Sequence, residues 1–340
     1  MPGEVMHVGE FAMPRPFRSN RGVSATLPIE RRPLGRADLT IPRVALGCGN
    51  FGGVGSAPEL FGQGLSGDEA FALMDAAWEL GINHFDTADA YGGGRSERMI
   101  GSWMATRGVR PMITTKTFNP MDAGGDHGLA PERIVRQLDS SLDRLGLESV
   151  DVYLAHEFDP AVPLADTFGA FEQAAGAGRI RAYGVSNFDA AQLEAALAAG
   201  APQAIQNEHS LLARGDEAGV LPMCRRERVA YLVFSPLAGG WLTGKYRRGQ
   251  AFPAGSRMTQ RPDPYAAFVS DATFDRLERL SELAAADGRS LAGLALAWLL
   301  GDERVSQVVV GPGRPEHLSP AREALERPLS AAQREEIARC

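Results

Sequence analysis

Gly81-Ile-Asn-His-Phe-Asp-Thr-Ala-Asp-Ala-Tyr-Gly-Gly-Gly94 closes a helical pattern, runs through a short strand and ends in a glycine-rich loop. The amphipathic pattern over 66–80 stops at Gly81, residues 84–88 read as a strand, and the loop beyond carries a lone tyrosine, Tyr91. Asp86 falls near the strand end. An unpaired charge is costly inside a sheet, so this carboxylate requires a partner. Strand ends are also rich in Asp and Gly for purely local reasons, and a capped turn with an aromatic plug is the plain alternative.

Outward from this stretch the same unit recurs. Helical patterns over 96–106, 131–145, 164–175, 190–199 and 217–227 precede apolar strands at 112–116, 150–156, 180–186, 204–207 and 230–235. Helices over 273–287 and 291–300 precede a strand at 307–310, and residues 43–47 supply the first strand, which makes eight. Short apolar strands alternating with helices imply parallel pairing. Eight units suit an α/β fold of the closed (β/α)8 TIM barrel type. A doubly wound sheet is the rival, but no G-x-G-x-x-G opens a helix after the first strand. Residues 31–42 predict a short hairpin around a Gly35-Arg-Ala-Asp38 turn, and 315–326 and 330–339 predict closing C-terminal helices. Residues 1–30 lack periodicity and read as a loose arm, 31–340 as one barrel domain, and 246–266 as a long Pro/Gly/Arg loop.

Of the 340 residues, 44% are hydrophobic, enough for a large core, and the net charge of −7 argues against nucleic acid as a partner. No apolar run approaches membrane-spanning length and the first residues do not read as a secretory leader. The three cysteines, Cys48, Cys224 and Cys340, form no CxxC and no even framework, which points to a cytoplasmic protein with free thiols. Six scattered histidines offer no metal-ligand spacing. Lys plus Arg total 35, yet Lys116 and Lys245 are the chain's two lysines. A guanidinium fork does not replace a compact ammonium at a tight site, so both lysines are candidates for chemistry.

Barrel chemistry sits at the carboxyl ends of the strands. There the sequence places Asp86 and Tyr91, Lys116, His156, Ser186 with Asn187, Gln206, Phe234 with Ser235, and Gly311 with Gly313. A lysine ammonium beside Tyr91 is expected to lower the tyrosine pKa, with Asp86 holding the lysine and His156 contacting a carbonyl oxygen. Such a set donates a proton to a carbonyl undergoing reduction. It contains no obvious nucleophile and no metal, so the hydride must come from a cofactor.

On these residues the chain resembles an aldo-keto reductase over 31–340: Asp86-Thr-Ala, Tyr91-Gly, Lys116, His156, Gly184-Val-Ser-Asn-Phe188 and Phe234-Ser-Pro-Leu237 follow that family's motifs in order. The resemblance implies NADPH, with NADH as the alternative, bound extended without a Rossmann fold. It implies Tyr91 as general acid/base with Asp86, Lys116 and His156, and a carboxamide site at Ser186, Asn187 and Gln206. It further implies a nicotinamide stack on Phe234, a pyrophosphate loop from Ser235 through Pro236, Leu237, Ala238, Gly239 and Thr243 to Lys245, and a clamp from Arg257. Gly49 and Asn50 are expected to touch the cofactor; Gly311, Gly313, Arg314 and His317 serve its adenosine end. That last segment departs from the usual pattern, with His317 and Pro320-Ala321 where relatives often carry Gln and Glu-Asn. Phe51, Tyr91, His156, Glu157, Phe158 and Trp241 are expected to line the mouth for a small-molecule carbonyl, with the acidic Glu157 leaning toward hydroxylated substrates. The expected partners exclude membranes, and the state is monomer or homo-oligomer. The resemblance extends to potassium-channel β subunits, so a cofactor-binding regulatory subunit is the alternative function.

Overall fold

The computed structural model describes residues 28–340. The loose-arm expectation for 1–30 therefore lies almost wholly outside the described residues. The chain opens with a hairpin, β1 (Arg31–Pro33) and β2 (Thr40–Pro42), paired antiparallel around the expected turn. Eight parallel strands then follow: β3 (Val44–Gly47), β4 (His84–Asp86), β5 (Met112–Thr117), β6 (Val150–Ala155), β7 (Ile180–Ser186), β8 (Ala204–Glu208), β9 (Ala230–Phe234) and β10 (Val305–Val310). They close in the order β10-β3-β4-β5-β6-β7-β8-β9, the barrel that the alternating pattern predicts.

Between them lie α1 (Gly67–Glu79), α2 (Arg95–Arg107), α3 (Pro131–Leu145), α4 (Leu164–Gly176), α5 (Ala190–Ala199) and α6 (Val220–Glu227). Local chemistry sets several starts. Ser66 and Asp189 cap α1 and α5 in reciprocal boxes with Glu69 and Gln192, satisfying free amides of the first turn. The stretch 246–266 is not a plain loop: it holds α7 (Arg257–Gln260) and leads into a 3-10 turn over Asp263–Phe268. Two helices, α8 (Asp271–Ala286) and α9 (Leu291–Leu300), precede β10. Almost every residue of α9 is buried, as its apolar sequence requires. The chain ends with α10 (Ser319–Glu326) and α11 (Ala331–Arg339).

Two helices start later than their patterns. The expected helix at 217 begins at Val220 behind a separate 3-10 turn, with Pro222 in its first turn, where a missing amide is tolerated. The expected helix over 315–326 is broken: Pro315–Leu318 is a 3-10 turn and α10 restarts at Ser319. Pro320, lacking an amide, cannot continue a helical ladder across that point.

The barrel has a closed end and a working end. Leu34, Leu39 and Ile41 of the hairpin form one apolar cluster with Val152, Leu154, Ala204 and Leu232, plugging the amino-terminal mouth. Next to this plug His84 is fully buried. Gln307 Nε2 donates to its Nδ1 at 2.8 Å, so Nε2 carries the proton and donates to Thr114 Oγ1 at 2.8 Å. Burial holds its pKa near 4, below the ordinary 6.5. No single helix among the described residues is long and apolar enough to cross a membrane.

The unfolded chain takes up the His84 proton near pH 6.5 and the folded chain only near pH 4. Its contribution is therefore complete above about pH 6.5 and is lost as pH falls toward 4. We predict that His84→Gln narrows the difference in unfolding free energy between pH 7 and pH 4 by about 3 kcal/mol. Urea titrations at the two pH values check this; an unchanged difference refutes it.

Candidate active site

Barrel closure brings the polar strand ends onto one rim. Lys116, fully buried near the end of β5, donates through Nζ to Asp86 Oδ1 at 2.6 Å and to the Thr87 carbonyl at 2.9 Å. The second Asp86 oxygen accepts from Gln206 Nε2 at 2.7 Å, so the carboxylate is held from two strands, β5 and β8. Tyr91 opens a 3-10 turn beyond β4; its ring centroid lies 5.1 Å from Lys116 Nζ and 5.6 Å, edge-on, from the His156 ring. The turn fits because it is glycine: a Cβ on Gly53 would stand 2.7 Å from the Gly92 Cα, and Gly92 has φ +58°.

The electrostatics differ from the sequence expectation at one point. Burial pushes the Tyr91 hydroxyl above its ordinary pKa of 10.0; Lys116 pulls it back, but the net direction is upward. Burial disfavours the Lys116 ammonium, yet Asp86 and Tyr91 outweigh this and hold it above its ordinary 10.5. Burial and the Lys116 charge hold His156 well below 6.5. At neutral pH the cluster therefore contains a charged lysine, a protonated tyrosine and a neutral imidazole. The Glu157 carboxyl, half-buried beside it, is pushed up by burial to about 7.

The expected cofactor residues divide into three places. Asn187, at φ +59°, donates through Nδ2 to the His156 carbonyl at 2.9 Å, to Glu157 Oε1 at 3.1 Å and to Ser186 Oγ at 3.3 Å. Ser186 Oγ donates to the Gln206 carbonyl at 2.8 Å. With their amide nitrogens engaged, Asn187 and Gln206 each retain an amide oxygen as acceptor, which fits the two N–H donors of a carboxamide. Phe234 ends β9 half-buried, and the segment from Ser235 through Pro236 and Leu237 turns back with Ser235, Ala238 and Gly239 in left-handed conformations. Tyr265 packs so closely on Gly239 that a Cβ there has no room. Thr243 Oγ1 donates to the Gly240 carbonyl, Lys245 is exposed, and Arg257 begins α7.

At the third place Asn50 Nδ2 donates to the Pro312 carbonyl at 2.9 Å, tying the Gly49-Asn50 loop to the Gly311–Gly313 segment, while Asn50 Oδ1 is buried without a partner. Arg314 Nε donates to His317 Nε2 at 2.9 Å, and the charges of Arg314 and Lys245 both depress the His317 pKa behind burial itself. Cations on two loops thus act on His317, with the Glu316 carboxylate 4.0 Å from Arg314 Nε as a counter-charge. The helix predicted over 315–326 is interrupted beside this cluster, because α10 starts only at Ser319.

Two expected mouth residues are corrected. Trp241 is fully buried among Tyr246, Phe252, Phe268 and Phe274, and Phe51 is fully buried in the main core, so neither offers surface to a substrate. Phe158 is half-buried, edge-on to Phe188. The sequence reading passed over Asn119, whose Nδ2 lies 3.2 Å from His156 Nδ1. It also passed over Asp89, fully buried with its pKa raised to about 7 by burial and then by Glu97. Neither position carries a periodicity or motif signal.

The chain belongs to the aldo/keto reductase family, whose model matches residues 43–340. It is 35% identical over 263 residues to a putative voltage-gated potassium channel subunit beta of Schizosaccharomyces pombe, covering 72% of this chain and 75% of that one. It is 31% identical over 315 residues to the L-glyceraldehyde 3-phosphate reductase of Escherichia coli K12, covering 87% and 88%. The structure resembles a glycerol dehydrogenase from Gluconobacter oxydans at TM-score 0.76 and 26% identity, over 89% and 93% of the two chains.

Removing Lys116 leaves Asp86 as a buried uncompensated charge. We predict that Lys116→Met destabilises the fold by about 3–5 kcal/mol, and that adding Asp86→Asn restores part of this. Denaturant unfolding of the single and double variants measures it; equal stability of the two excludes the buried pair as the cause.

Proposed function

We propose that this enzyme reduces the carbonyl of a small hydroxylated aldehyde or ketone to an alcohol, using NADPH, with Tyr91 as proton donor. The observation that carries this reading is the convergence of Tyr91, Lys116, Asp86 and His156 at one rim, with the lysine charged and the tyrosine protonated. NADPH, when bound, supplies the hydride. Tyr91 gives its hydroxyl proton to the developing alkoxide, and Lys116 stabilises the phenolate left behind. Asp86, gripped by Lys116 and Gln206, keeps the ammonium oriented and charged. Neutral His156 hydrogen-bonds the carbonyl oxygen, and Ser186, Asn187 and Gln206 would hold the cofactor's carboxamide.

Glu157 supports the hydroxylated class. Adjacent to His156, half-buried and held by Asn187, it gives the mouth an acceptor for a neighbouring hydroxyl. The related reductase and dehydrogenase are named for a sugar-phosphate aldehyde and a polyol, which agrees in class. The 35% identity to a channel β subunit supports a second reading, a cofactor-binding regulatory subunit. Turnover separates the two: steady consumption of NADPH with hydroxylated aldehydes supports the reductase, and binding without turnover the subunit.

Tyr91→Phe removes the proton and keeps the ring. We expect kcat to fall by about two to four decades with little change in NADPH affinity; near-normal kcat defeats the assignment of Tyr91.

NADPH differs from NADH by a 2′-phosphate, which the Arg314, Lys245 and His317 cluster suits. A charge-assisted hydrogen bond contributes about 1.5–3 kcal/mol. Arg314→Ala should therefore raise KM for NADPH by roughly one to two decades and leave that for NADH nearly unchanged. Equal weakening of both cofactors refutes the phosphate contact.

A further inference from the structure

We propose that Asn119 is a positioning residue for His156: by donating its amide N–H to Nδ1, it holds the imidazole as the Nε2–H tautomer, making Nε2 the donor to the substrate carbonyl. The inference rests on the carbonyl reduction proposed above and assigns a residue that lies outside the four-residue cluster.

The geometry supplies each link. A neutral imidazole carries one N–H, and the nitrogen that accepts cannot be the one that donates. With Asn119 Nδ2 placed 3.2 Å from Nδ1, the ring proton belongs on Nε2. The other tautomer would turn a lone pair toward a carbonyl oxygen, where the reaction needs a donor. Burial and the Lys116 charge keep the ring neutral at working pH, so the tautomer decides what it presents.

Asn119 is itself fixed. Its backbone carbonyl accepts from Arg133 Nη2 at 2.9 Å. The same guanidinium, nearly fully buried on α3, donates to Thr117 Oγ1 at 2.9 Å, the Gly128 carbonyl at 3.0 Å and the Asp126 carbonyl at 3.1 Å. Thr117 in turn accepts the His156 amide through its carbonyl at 2.9 Å. One arginine therefore fixes both the backbone that carries the asparagine and the strand end beside which the histidine emerges. Second-sphere partners that fix a histidine tautomer at metal sites change activity by about 10–100-fold when removed, and the same logic applies here.

The test reads the tautomer directly. Protein with 15N-labelled histidine is examined by long-range proton–nitrogen correlation across pH, for wild type, Asn119→Asp and Asn119→Ala, with His156→Gln assigning the signal. Wild type should show a neutral Nε2–H imidazole. In Asn119→Asp the carboxylate accepts from Nδ1–H, so the proton moves to Nδ1 and the ring titrates at higher pH than in wild type. Its kcat should fall about 10–100-fold with KM for NADPH unchanged, and its pH profile should follow the displaced titration. Asn119→Ala, which supplies neither donor nor acceptor, should show both tautomers and an intermediate kcat. A wild-type Nδ1–H tautomer overturns the proposal, as does an Asn119→Asp variant whose tautomer changes while kcat does not. A wild type with the Nε2–H signal and no carbonyl turnover upholds the Asn119–His156 assignment and rejects the reaction reading instead.

Discussion

The 2.6 Å contact between Lys116 Nζ and Asp86 Oδ1 is the constraint around which the rim is built. Both groups are out of water, and a buried ion pair is tolerable only when the remaining hydrogen-bonding capacity is met. Here the Thr87 carbonyl takes a second ammonium proton and Gln206 fills the second carboxylate oxygen. Three strands, β4, β5 and β8, are thereby committed to one relative position at their carboxyl ends. Tyr91 and His156 are then set against an already rigid base.

Burial acts on this rim in opposite directions, and magnitudes settle each outcome. For Lys116 two partners outweigh desolvation; for Tyr91 desolvation outweighs the lysine. The tyrosine is thus held protonated at neutral pH. The sequence alone invites the opposite conclusion, because it displays the lysine but not the dry environment around the phenol. Asn187 and Gln206 share a feature: each commits its amide nitrogen to partners within the protein.

Most of the barrel was legible because its signals are repetitive. Apolar strands alternate with amphipathic helices eight times, and Asp86, Lys116 and His156 fall in phase at strand ends. The near-absence of lysine drew attention to Lys116, which is fully buried. What was not legible depends on packing between distant segments. Trp241 resembles a mouth residue in sequence, and only the fold surrounds it with Tyr246, Phe252, Phe268 and Phe274. The Asn119 contact with His156 spans 37 positions and leaves no periodic trace. The break before α10 could have been read from Pro320, whose missing amide halts a helical ladder; the apolar spacing concealed it.

The arginine-rich composition also has a consequence for handling the molecule. Amine-reactive acylating reagents ignore guanidinium groups, and of the two lysines one is sealed in the barrel while Lys245 stands exposed. Apart from the chain's terminal amine, such reagents have one address, beside the Arg314–His317 cluster. Coupling to an amine-reactive support through Lys245 would therefore turn the working end of the barrel toward the surface, with the terminal amine as the other point of attachment. Attachment chemistry aimed at carboxylates, of which the chain carries 42 in Asp and Glu side chains, would spread the linkage over many positions and leave that end accessible in a larger share of molecules.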